Sequence, residues 1–173
     1  MANIQFSFYN RADGAVLSGG AWSAGAPLAN LQQTLLSLRA RSTDALAAST
    51  QFAIDLGASF SYVRLVAIAR HTLSLAATYR ITAGTTPGAS DVYDSGILAV
   101  WPAVYLPADL EWEDDNFWTG QLAADEIVGY PISLAHDCGA NIRARHWTIA
   151  FTDTGNAAGY VELARLWLGP IWS

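Results

Sequence analysis

The sequence predicts an all-β protein, an antiparallel sandwich or barrel, and two observations carry that expectation. Apolar residues repeatedly alternate with polar ones at a period of two, the pattern of a half-buried strand. The runs are short and separated by turn clusters (Asp13-Gly14, Ser18-Gly19-Gly20, Asp153-Thr154-Gly155-Asn156), and a single stretch carries helical spacing.

Taken in order, Ile4, Phe6 and Phe8 alternate with polar neighbours and predict a first strand. Leu28, Leu31, Leu35 and Leu38 share a helical face behind Pro27. The small and polar residues 42–50 that follow limit this to a short helix at most. Phe52, Ile54 and Leu56 form the next alternating run, ended by Gly57. Residues 62–69 and 160–168 are apolar at nearly every position, as in central strands covered on both sides. Tyr79 and Ile81 alternate before a turn over residues 83–90, and Trp147, Ile149 and Phe151 form a late strand. The predicted core between two sheets is Ile54, Leu56, Val63, Leu65, Tyr79, Ile81, Trp147, Ile149 and Phe151.

Composition narrows the function classes. At 173 residues, one domain spanning 1–173 is expected. The chain is 52% hydrophobic and only 14% charged, which excludes disorder. So few charges also suggest that some apolar surface meets partners. All nine basic residues are Arg against 15 acids, a net charge of −6 that disfavours nucleic acid as a partner. Cys138 stands alone, so neither an internal disulfide nor a cysteine-based zinc site is expected. Residues 1–10 lack the pattern of a signal peptide, and no apolar run approaches the ~20 residues of a membrane span. Folding in a reducing cytoplasm is the expectation.

Residues 101–118 break the strand pattern. They hold Pro102 and Pro107, the aromatics Trp101, Tyr105, Trp112, Phe117 and Trp118, and five carboxylates. Proline removes ladder donors, so this is a loop or an edge. Glu111, Glu113, Asp114 and Asp115 crowd together too closely for the spaced carboxyl pair of a glycosidase. Asp109, Asp114, Asp115 and Asn116 offer the oxygen ligands of a calcium site, although their order does not match an EF-hand. No other metal site and no cofactor is expected. Trp112, Glu113, Asp114, Asp115, Asn116, Phe117 and Trp118 read in two ways. Aromatic faces beside carboxylates and amides suit a sugar, and the same residues suit burial against another protein chain. His136, Asp137 and Cys138 cannot converge as a catalytic set, because neighbours on an extended chain point to opposite faces. With no nucleophile–base set and no metal motif, the chain reads as non-catalytic.

Several stretches together resemble a galactose-binding-like, discoidin-type jelly roll. They are Phe52-Ala53-Ile54-Asp55-Leu56-Gly57, Val63-Arg64-Leu65-Val66-Ala67-Ile68, Ala77-Thr78-Tyr79-Arg80-Ile81 and Ala144-Arg145-His146-Trp147-Thr148-Ile149. More narrowly, Pro27-Leu28-Ala29-Asn30-Leu31, Asp94-Ser95-Gly96, the stretch from Trp112 to Gly120 and the stretch from Gly159 to Trp172 resemble virion proteins of tailed phages and prophages. The resemblance implies a structural component of the virion, at the tail tip or baseplate, assembled in the host cytoplasm. It would work by self-association, expected as a ring, and by docking to other tail and baseplate proteins. The alternatives are a carbohydrate-binding module for host surface glycans and a capsid decoration protein.

Overall fold

A computed structural model describes residues 6–172 except 59, 61, 107, 124, 125, 130 and 131. Its strands are β1 (Val16–Ser18), β2 (Ala40–Arg41), β3 (Phe52–Asp55), β4 (Tyr62–His71), β5 (Thr78–Gly84), β6 (Tyr93–Asp94), β7 (Leu98–Ala99), β8 (Leu134–Arg143), β9 (His146–Thr152) and β10 (Glu162–Gly169). One sheet runs β1-β3-β9-β5-β6, with β7 also on β5, and the other runs β2-β10-β4-β8. Every strand pairing is antiparallel, which makes an antiparallel β-sandwich.

Alternation sets the first sheet directly. Phe52 lies opposite Ile149 and Ile54 opposite Trp147, while β5 brings Tyr79 to Phe151 and Ile81 to Ile149. All of these side chains are buried, forming cross-strand rows on one face. From the other sheet Val63, Val66, Ile68, Leu134, Leu163, Leu166 and Leu168 complete the core.

The second sheet departs from simple alternation. Between Val63 and Leu65 the β4–β8 register slips, because β8 carries extra residues around Gly139, which sits at φ +78. The inward set of β4 is therefore Val63, Val66 and Ile68, and Leu65 turns out as a half-buried residue. Leu56, beyond the end of β3, is likewise only half-buried against the core. Strand β10 is covered along nearly its whole length, as expected, but β4 is not: Tyr62, Ala69 and Arg70 are exposed.

The N-terminal strand does not form as expected. Ile4 lies outside the described residues, Phe8 is 76% exposed, and Phe6 makes only an isolated bridge to Trp172. This segment instead lies along β10. β2 pairs only with Glu162 and Leu163, and farther along the Asn10 side chain takes the place of a strand. Its Oδ1 accepts from the Leu168 N–H at 2.9 Å and its Nδ2 donates to the Leu166 carbonyl at 2.9 Å. The leucine stretch is also shorter than its spacing suggests. A 3-10 turn covers Leu28–Gln32 and buries Leu28 and Leu31, after which Gln33 is extended and Leu35 and Leu38 are exposed. Asn30 holds this exit by donating to the Arg39 carbonyl at 2.8 Å.

Candidate functional site

The segment expected to be a loop leaves the sheets after β7 and is fastened at its root. Trp101 donates from Nε1 to the Leu73 carbonyl at 3.3 Å and meets the buried His71 ring edge-on, centroids 5.6 Å apart. Gln121 donates to the Trp101 carbonyl at 2.6 Å, and the Gly120 carbonyl accepts from both Val104 N–H (2.8 Å) and Tyr105 N–H (2.9 Å). Gly120 is required there: its φ is +61, and a Cβ would stand 2.7 Å from the Tyr105 carbonyl oxygen. Residues 102–120 thus form a closed loop whose two ends touch.

Inside the loop, carboxylates and amides tie turns. Asp114 accepts from the Glu111 N–H at 2.8 Å, and Asn116 donates to the Gln121 carbonyl at 2.7 Å. Tyr105 donates to Glu126 at 2.6 Å, and the other Glu126 oxygen accepts from the Ala123 N–H at 2.6 Å. Between them lies a cavity of about 340 Å³ lined by Tyr105, Leu110, Asp114, Asn116, Ala123 and Glu126. Trp112 and Trp118, on the same loop, are 75% and 88% exposed. Phe117 is half-buried and meets Trp118 edge-on at 5.0 Å, while Glu113 and Asp115 are exposed.

Of the seven expected site residues, only Asp114 and Asn116 line the cavity; the two tryptophans stand beside it in sequence as open platforms. Tyr105 and Glu126 were not singled out. Tyr105 belonged to the aromatic stretch, but Glu126 lies outside it and approaches only because the loop closes at Gly120. Of the oxygens offered for calcium, one on Asp109 accepts from the Leu106 N–H at 3.2 Å and one on Asp114 accepts from the Glu111 N–H. Among the described residues, no three His, Cys, Asp or Glu side chains stand together as a metal site.

The histidines and the cysteine are built into the scaffold. His136 points inward, its Nδ1 3.0 Å from the Tyr79 hydroxyl and its Nε2 2.7 Å from that of Tyr93, which links β8 to the facing sheet. Burial pushes this imidazole below its usual range, and a neutral ring can donate to one tyrosine and accept from the other. Asp137 points the opposite way, paired with Arg64 at 2.8 Å. Burial pushes the Cys138 thiol up to about 11, away from the thiolate a nucleophile needs. Asp55 of the Ile-Asp-Leu-Gly motif takes a two-bonded ion pair from Arg145, at 2.6 and 2.8 Å, and accepts from the Gly57 N–H. Arg145 holds that carboxyl well below the usual range. Two motif residues therefore satisfy each other across β3 and β9.

No family model and no curated protein matches the chain. Solved structures do. The family 32 carbohydrate-binding module of C. perfringens NanJ, in complex with galactose, superposes with a TM-score of 0.57 over 98% of this chain and 100% of that one, at 14% identity. The fold is the galactose-binding-like jelly roll. A fucolectin from striped bass serum (Morone saxatilis) shares the jelly roll with a TM-score of 0.56, over 95% of this chain and 48% of its own, at 11% identity. SpGH29 matches at 0.58 and 16% identity over 93% of this chain, which spans only 28% of that protein's length. Nothing in these comparisons points to a tail or baseplate protein.

Proposed function

We propose that this chain is a non-catalytic carbohydrate-binding domain that uses the loop of residues 102–120. One observation carries the reading: the chain matches, end to end, a module of the same fold that holds galactose. The loop supplies suitable chemistry. Trp112 and Trp118 offer ring faces to sugar C–H groups, and Tyr105, Asp114, Asn116 and Glu126 line a cavity whose polar atoms can bond hydroxyls. Its volume lies near the lower end of the ~300–1,000 Å³ usual for small-ligand sites. Partial matches to glycoside hydrolases do not carry catalysis over, since this chain covers a minor part of them.

The test is a glycan array with the parent and the double variant Trp112→Ala/Trp118→Ala. The expected result is selective binding by the parent, lost in the variant, with the melting temperature essentially unchanged because both rings are exposed. An array blank for the parent overturns the sugar reading. If light scattering then shows parent oligomers that the variant lacks, the exposed rings belong to assembly, as in the virion role.

A further inference from the structure

A larger cavity lies away from this loop. About 480 Å³ in volume, it is lined by Phe8, Tyr9, Asn10, Arg11, Asp13, Gly14, Leu56 and Phe60, where the N-terminal segment passes Leu56 and Phe60. Its polar groups are unevenly committed. Asn10 is spent on β10, as described above, and so fixes the segment that carries Tyr9 and Arg11. Asp13 is neutralised by Arg165, whose guanidinium lies 2.7 Å from it, and also accepts from Asn10 at 2.8 Å. Arg11 has no carboxylate partner among the described residues, and its Nε is buried without a hydrogen bond. Its guanidinium lies over the Tyr9 ring at 4.2 Å. Arg143, likewise without a carboxylate partner, lies over the Phe60 ring at 5.2 Å. In a chain of net charge −6, the uncompensated Arg11 guanidinium thus lines this cavity together with the Phe8, Tyr9 and Phe60 rings, while that of Arg143 lies over Phe60 without being part of the lining.

We propose that this cavity is a second binding site, for a sugar ring that carries a carboxylate, a uronic acid. Arg11 receives the carboxylate through the planar guanidinium fork, and the stack on Tyr9 holds that fork in place. Phe8, Tyr9 and Phe60 offer the apolar wall for the ring's C–H face. The site is independent of the tryptophan loop.

The experiment is titration of the full chain with galacturonate, with galactose as the neutral counterpart and inorganic sulfate as a bare anion, followed by NMR shifts. Galacturonate should saturate, about tenfold or more weaker in Arg11→Gln and intermediate in Arg11→Lys, with the affinity falling as salt rises. Trp112→Ala/Trp118→Ala should leave galacturonate binding intact, so failure of the loop reading and failure of this one are told apart. Three outcomes overturn the proposal: no saturation by galacturonate, equal affinity in a folded Arg11→Gln variant, or sulfate binding as tightly as galacturonate.

Discussion

The two ends of the sandwich differ in how they handle charge. At one, beyond His71 at the close of β4, the loop of residues 102–120 carries five carboxylates, no arginine, and two tryptophans standing open to water. At the other, about 30 Å away along the ten residues of β4, Arg11 and Arg143 have no carboxylate partner among the described residues and lie over the Tyr9 and Phe60 rings. The same residue classes are thus put to opposite use. The acidic loop ties two of its carboxylates, Asp109 and Asp114, to backbone N–H groups of its own turns and leaves the two tryptophan rings exposed. The other end lays guanidiniums over the Tyr9 and Phe60 rings, which leaves cationic groups available to an anion. The two proposed sites lie far enough apart that their fields do not cancel, since screening at physiological salt acts over about 8 Å.

The comparison rests on a shared core, and the largest effect should come from breaking it. Trp147 is fully buried between the sheets, with its Nε1 donating to the Ala144 carbonyl at 3.0 Å. Trp147→Ala should cost about 3–5 kcal/mol in urea unfolding and abolish both binding activities together. A melting temperature within a degree of the parent would show that the rows of Phe52, Ile54 and Ile149 hold without it.

Acid should come next, and it acts at the root of the acidic loop. Burial pushes His71 down to about 4 from an unfolded value of 6.5. Between those values the unfolded chain takes up a proton that the folded chain refuses. Stability is therefore full above pH 6.5 and falls as the pH drops toward 4, by about 3 kcal/mol. His136 shifts in the same direction and adds to the slope. Urea midpoints at pH 7 and pH 4.5 measure the loss, and His71→Gln should flatten the profile. Equal midpoints in the parent would mean that His71 charges in place beneath Trp101.

The smallest effect on stability is the most selective. Gly120→Ala forces a side chain into a left-handed backbone position, a cost of about 1–2 kcal/mol, and drives its Cβ against the Tyr105 carbonyl. The loop's glycan binding should be lost while galacturonate binding at the Arg11 end persists. Loss of both would show that the ends are coupled through the sheets.

Much of this was legible residue by residue. Phe52, Ile54, Tyr79, Ile81, Trp147, Ile149 and Phe151 announce their burial because alternation is local and a strand converts it directly into one face. Pro102 and Pro107 marked residues 101–118 as a loop for an equally local reason, the missing ladder donors. Leu65 could not be read correctly, since the slip that turns it outward comes from extra residues in β8, some 75 positions later. Leu35 and Leu38 kept helical spacing without a helix, because Asn30 and the Arg39 carbonyl take the chain toward β2 instead.

The sequence by itself determined the all-β class, most of the core rows, the position of the loop, and the isolation of Cys138. Only the tertiary structure decided that Glu126 would accept from Tyr105, that the Asn10 side chain would bond β10 in place of a strand, and that Arg11 would line a cavity with no carboxylate partner of its own among the described residues. The physical reason is one of range. Periodicity and proline act through neighbours a few residues away, whereas hydrogen-bond partners and uncompensated charges are set by segments brought together from distant parts of the chain, and no local pattern encodes which segments those are.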